Sequence, residues 1–151
     1  MLTARDIMTP NPVTIAPEAG IVDAVKILLE KRFNGLPVVD AEGLLVGVIC
    51  QSDLVAQQKK LEFPSVFSLL DGFAVFGARK AELDFEKIYA LTVAQAMSRD
   101  PVTATPDTSL EDLATLMVKS KYYSLPVVMN GKVVGIVGKE DILRTLVHHG
   151  V

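Results

Sequence analysis

Apolar positions along this chain form short continuous runs and helical stripes, and each kind occurs twice. Leu36, Val38 and Val39, around Pro37, read as a strand that breaks at the turn residues Asp40-Ala41-Glu42-Gly43. Residues 44–50 are almost continuously apolar, which suits a strand covered on both faces. Gly47 inside that run marks a point where a ligand or another backbone approaches closely. Ser52 and Asp53 follow, suited to cap a helix and to place a carboxylate beside its amides. Upstream, Ile21, Ala24, Val25 and Leu28 keep the i, i+3, i+4, i+7 spacing and predict a helix over residues 21–32.

The whole pattern returns further along the chain. At an offset of 89, Thr3, Met8, Pro12-Val13-Thr14, Pro17, Asp23 and Leu36-Pro37-Val38-Val39 recur, from Thr92 to Leu125-Pro126-Val127-Val128. One residue is lost in the hairpin turn, so Gly43, Gly47 and Asp53 return at an offset of 88 as Gly131, Gly135 and Asp141. Chance does not keep turn glycines, prolines and a carboxylate in such register. Each copy opens with capping-box spacing, Thr3 with Asp6 and Thr92 with Gln95. Short strands are predicted at residues 13–16 and 102–105, between prolines. Leu110, Leu113, Ala114 and Met117 form the second helical stripe, started by Ser109 with Asp112 three residues on. The expected unit is strand, helix, strand, strand, helix. A unit of ~50 residues is marginal alone, so the two copies should bury their sheets against each other.

The copies occupy residues 1–58 and 92–151, and 59–91 form an insert between them. It contains five of the six phenylalanines, Phe63, Phe67, Phe73, Phe76 and Phe85. Pro64, Gly72 and Gly77 divide it into two expected helices, unlike a polar Gly/Ser linker. Its aromatics either complete the module's core or form a surface for a second subunit.

Composition narrows the class. Of 151 residues half are hydrophobic and 22% are charged, which is globular and not disordered. A net charge of -3 makes no electrostatic case for nucleic acid or anionic membrane. One cysteine, Cys50, excludes an internal disulfide and a cysteine-based zinc cluster, and fits a reducing, cytoplasmic setting. The absence of a long apolar run argues for a soluble protein. No nucleophile stands with a base at recognisable spacing, and His148 and His149 are the only histidines, so an enzyme is not expected.

The repeated motifs resemble the CBS domain family, named after cystathionine β-synthase. The resemblance rests on Met-Thr-(x)3-Val-Thr at residues 8–14, Leu-Pro-Val-Val twice, and Gly-(x)5-Asp at 47–53 and 135–141. It implies an α+β fold of two βαββα units related by a pseudo-twofold axis, a Bateman module. It further implies frequent homodimers and, in many members, clefts between repeats that bind an adenosine-containing ligand such as AMP, ATP or S-adenosylmethionine. On that basis Val13, Thr14, Ile15, Pro37 and Val38 would wall one cleft, and Val102, Thr103, Ala104, Pro126 and Val127 the other. Asp53 and Asp141 stand where the family holds the ribose diol; read from the residues alone, both are simply helix caps.

Some positions depart from the family pattern. Cys50 and Gly138 replace the Thr or Ser expected three residues before the aspartate, and neither is a strong hydrogen-bond partner. Asn34-Gly35 and Tyr123-Ser124 replace a phosphate-gripping His or Arg, although Lys31, Arg32, Lys121 and Lys139 are nearby. Glu140, where the first copy has Ser52, would repel phosphate, so the Asp53 cleft ranks first. Two functions remain open: a stand-alone regulatory sensor of an adenosine ligand that signals to an unidentified partner, and a ligand-free dimerisation scaffold with vestigial clefts.

Overall fold

The computed structural model describes residues 1–60, 91–120 and 124–149. Most of the aromatic insert, with Lys121 and Tyr123, therefore lies outside the described residues. The first repeat runs α1 (Ala4–Ile7), β1 (Thr9–Pro10), α2 (Ile21–Lys31), β2 (Gly35–Val39), β3 (Leu45–Cys50) and α3 (Gln51–Lys60). The second repeats it as α4 (Val93–Ala96), β4 (Ser98–Arg99), α5 (Leu110–Ser120), β5 (Ser124–Met129), β6 (Lys132–Gly138) and α6 (Lys139–His149).

The two hairpins form as their side-chain pattern requires. β2 pairs antiparallel with β3, and β5 with β6. In the first turn the Asp40 carboxylate accepts the amides of Glu42 (2.9 Å) and Leu44 (3.0 Å), with Gly43 at φ 82°. The second turn is shorter, Asn130-Gly131, with φ 54° and 81°, the left-handed pair of a type I′ hairpin. The one-residue change of offset falls in this turn. The helical stripes also bury as predicted: Ile21, Ala24 and Leu28 of α2, and Leu113 and Met117 of α5. Asp6 and Gln95 accept the amides of Thr3 and Thr92 at 2.8 Å, closing both capping boxes.

The opening of each repeat is built differently from the expectation. The strands predicted at 13–16 and 102–105 shrink to single parallel bridges, Ile15 with Val38 and Ala104 with Val127. The Ile15 amide donates to the Pro37 carbonyl (3.1 Å) and the Val39 amide to the Ile15 carbonyl (3.0 Å). The flanking prolines, Pro12 and Pro17, have no amide with which to extend the ladder. Instead, β1 of the first repeat adds to β6 of the second, and β4 of the second adds to β3 of the first. The sheets are therefore β2-β3-β4 and β5-β6-β1, each holding a strand from the other repeat.

This exchange is twofold throughout. The Ala4 amide donates to the Thr108 carbonyl and the Val93 amide to the Ala19 carbonyl, both at 2.8 Å. The Leu110 amide donates to Leu2 (3.1 Å) and the Ile21 amide to Leu91 (3.0 Å). Two buried clusters result, and each contains the visiting arm. Val93 and Ala96 sit among Ile15, Leu28, Leu36 and Ile49, while Ala4 sits among Leu113, Leu125, Val127 and Val137. The expected contact between sheets is present where β2 meets β5 and where Leu44 bridges Lys132. The exchanged arms tie the repeats together further.

Candidate functional site

The arm exchange decides which residues share a cleft. Because β1 lies along β6, the residues after β1 face the start of α6, in the other repeat. A cavity of about 350 Å³ opens there, within the range of small-molecule sites. Asn11, Pro12 and Val13 line it from the arm, Phe33 and Asn34 from the end of α2, and Ile136 and Asp141 from the second repeat. Asn11 takes a left-handed backbone (φ 47°), which turns the chain at the cavity edge.

Both aspartates occupy the third position of their helices. The Asp141 Oδ2 accepts the Gly138 amide at 2.7 Å, and its Oδ1 accepts Arg144 Nη1 at 2.9 Å. The Asp53 Oδ2 accepts the Cys50 amide at 2.8 Å, and its Oδ1 the Ser98 hydroxyl, from the opposite repeat, at 2.9 Å. Both are thus helix caps, and Asp141 also lines the cavity. Burial pushes the Cys50 thiol up to about 12, with the Asp53 charge adding to the effect, so the sulfur stays a neutral packing group.

Of the residues expected to contact a ligand, the structure brings Val13 and Asp141 into the cavity. Thr14 is half-buried just beyond it. Ile15, Pro37 and Val38, like Ala104, Pro126 and Val127, have buried side chains that belong to the core and not to a cleft wall. The parallel bridges hold them there. Cys50 is likewise buried, Ser52 and Thr103 are exposed, and Val102 and Asp53 are half-buried on the other side of the pseudo-axis. Val13 therefore faces Asp141 and not Asp53.

Three basic side chains, Lys31, Arg32 and Arg144, line the cavity with the carboxylates of Glu140 and Asp141. Lys31 and Arg32 thus stand near Glu140, and Arg144 joins them from α6. The sequence reading missed Thr9, Phe33 and Arg144 as lining residues. The i, i+3 spacing from Asp141 to Arg144 was the one available signal for the last.

A pair of α+β repeats that exchange their opening arms and hold a carboxylate beside the cavity between them defines a tandem-repeat domain pair. The chain belongs to the CBS domain family, whose profile matches residues 4–60 and 93–148. It is 33% identical over 153 residues to the CBS domain-containing protein CBSX2, chloroplastic, of Arabidopsis thaliana. That alignment covers 94% of this chain and 62% of the relative, so the chain spans less than two thirds of the relative's length. A protein of Methanocaldococcus jannaschii, MJ1426, is 29% identical over 97% of this chain and 92% of its own. The crystal structure of CBSX2 in complex with AMP has a TM-score of 0.75 at 30% identity, over 100% of both chains. The CBS domain pair of MJ0100, in complex with 5′-methylthioadenosine and S-adenosyl-L-methionine, has a TM-score of 0.72 at 29% identity, over 98% of each.

Among the described residues no helix is long and apolar enough to cross a membrane, and no group of three or more His, Cys, Asp or Glu could hold a metal ion.

Proposed function

We propose that this chain is a regulatory module that takes an adenosine-containing ligand in the cleft at Asp141. The observation that carries this reading is the cavity of about 350 Å³ between the repeats, lined by Asp141, apolar side chains and three cations. Phe33, Ile136 and Val13 offer apolar faces to a purine. The Asp141 carboxylate accepts two hydroxyl protons of a ribose diol, the chemistry that nucleotide folds use. The complexes of CBSX2 with AMP and of MJ0100 with adenosine derivatives support the ligand class.

The reading revises the ranking of the clefts. Glu140 counts against phosphate, but Lys31, Arg32 and Arg144 offset it, whereas Asp53 has Asp100 in the arm position that Asn11 holds at Asp141. A ligand between the arm of one repeat and α6 of the other contacts both, so its binding biases their packing and a partner protein reads the change. We extend the reading to a non-catalytic homodimer in the cytoplasm. Exposed Val118, Leu143, Leu146 and Val147 on α5 and α6 support the dimer.

One observation favours the scaffold alternative: each aspartate already has a hydrogen bond at both oxygens. Thermal unfolding with AMP, ATP, S-adenosylmethionine and 5′-methylthioadenosine, each in turn, separates the readings. A ligand at a hundredfold excess over Kd stabilises by roughly 2.7 kcal/mol, a rise of about 5–10 °C for a chain of this size. The sample should scatter light at twice the chain mass. A dimer whose midpoint no adenosine compound moves would make it a scaffold.

A further inference from the structure

We infer that Met8 and Met97 form a paired, reversible redox latch: oxidation of their thioethers to sulfoxides by a peroxide releases the exchanged arms from the opposite repeats. The inference does not depend on what the cleft binds.

Each methionine stands at the joint of its arm. Met8 and Met97 cap α1 and α4 at their C-terminal ends, and the visiting strands β1 and β4 begin one residue later. Those strands meet their hosts over two residue pairs each, Thr9 with Ile136 and Pro10 with Gly135, and Arg99 with Gly47 and Ser98 with Val48. The ladder is short, so side-chain packing has to hold the joint. A Cβ at Gly47 would lie 2.7 Å from Met97 Sδ and 3.1 Å from its Cγ. A Cβ at Gly135 would lie 2.8 Å from Met8 Cγ, with the sulfur nearer still. Both thioethers therefore lie directly on a glycine backbone. Met97 also packs against the buried cluster around Ile49, and Met8 against the one around Val137.

Both methionines are only half-buried, so a small peroxide reaches them. A sulfur lone pair attacks one peroxide oxygen, the O–O bond breaks and an S–O bond forms. The hydrogen on the attacked oxygen passes to the leaving hydroxide, which departs as water. Sulfur loses two electrons and the peroxide gains them. The product is polar and larger, in a contact that was apolar and closely filled. At Gly47 the neighbouring group is the Ser98 carbonyl oxygen, 2.9 Å from the Cβ position, an acceptor that offers the new oxygen no hydrogen. Release of the first arm takes Thr9, Asn11, Pro12 and Val13 from the cavity wall, and release of the second withdraws the Ser98 hydroxyl from Asp53. A thiol-dependent reductase removes the oxygen as water while two thiols join in a disulfide, which restores the latch.

The remaining methionines are internal references. Met1 and Met129 are 110% and 50% exposed, whereas Met117 is 8% exposed in the core. The test is stepwise treatment of the full chain with hydrogen peroxide, followed by peptide mass mapping, thermal unfolding and hydrogen exchange. Met1 and Met129 should convert first without moving the midpoint. Conversion of Met8 and Met97 should then lower it by about 3–10 °C. Exchange should speed up at residues 4–10 and 93–99 while Met117 stays reduced, and methionine sulfoxide reductase with a dithiol should reverse both changes. The double variant Met8→Leu, Met97→Leu keeps the apolar contact and should not respond to the same dose. Full conversion at both sites with an unchanged midpoint and unchanged arm exchange overturns the inference. So does conversion of Met117 or Cys50 while Met8 and Met97 remain reduced, or a double variant that loses as many degrees as wild type. Arm exchange in wild type requires no substitution, so it decides the matter if the double variant does not fold.

Discussion

Asp53 and Asp141 do two jobs with one side chain. As caps they satisfy the amides of Cys50 and Gly138, an interaction worth about 0.5–2 kcal/mol. The second oxygen of Asp53 takes the Ser98 hydroxyl across the junction between repeats, and that of Asp141 takes Arg144 beside the cavity. Their positions were legible because spacing from the strand glycine is kept in both copies. Their hydrogen-bond partners were not, because Ser98 reaches Asp53 from 45 residues away. Cys50 illustrates the opposite case, since its apolar neighbours alone pointed to an inert thiol. The fold raises its pKa from 9.0 to about 12, chiefly by burial, so the neutral form is favoured when folded. Its contribution is intact below pH 9.0; above that the unfolded thiol ionises first, and stability is lost as pH rises toward 12. Urea midpoints across this window should fall more steeply in wild type than in Cys50→Ala. Parallel slopes would show that the thiol is not shielded.

Among the elements, the hairpins and the long helices were readable from period-2 and period-3.6 patterns, but the exchanged arms were not. A capping box looks the same whether its short helix docks on its own repeat or on the other. Gly47 did announce a close approach, and the structure identifies what approaches. A Cβ at Gly47 would lie 2.7 Å from Met97 Sδ and 2.9 Å from the Ser98 carbonyl oxygen. Gly135 meets Met8 in the same way. Each arm is therefore laid across a glycine of the opposite sheet, where no side chain keeps it away. Gly47→Ala should destabilise by about 1–3 kcal/mol through overpacking. Combining it with Met97→Ala should recover only part of the loss, because the sulfur can be removed and the backbone carbonyl cannot. A double-mutant cycle measures this coupling, and strictly additive effects would contradict the arm placement.

Taken together, the repeats form one unit because neither core is complete without the other's arm: Val93 and Ala4 are both fully buried in the opposite repeat. The duplication and the α+β class followed from the repeat in the sequence. The choice of cleft did not, because it depends on which arm faces which aspartate. Crossing the arms puts Val13 with Asp141 and brings Lys31, Arg32 and Arg144 to the side where Glu140 stands. The proposed ligand site then draws on both repeats at once, as the proposed conversion of binding into a change of packing requires. Calorimetric titration of AMP into Asp53→Ala and Asp141→Ala decides the matter most directly. Each variant gives up a cap bond, and Asp53→Ala also loses the Ser98 bond between the repeats, so unfolding midpoints of both variants are read beside the titration to separate ligand contact from packing. Loss of AMP binding in Asp141→Ala with retention in Asp53→Ala is the predicted result; loss in Asp53→Ala with full retention in Asp141→Ala would contradict it.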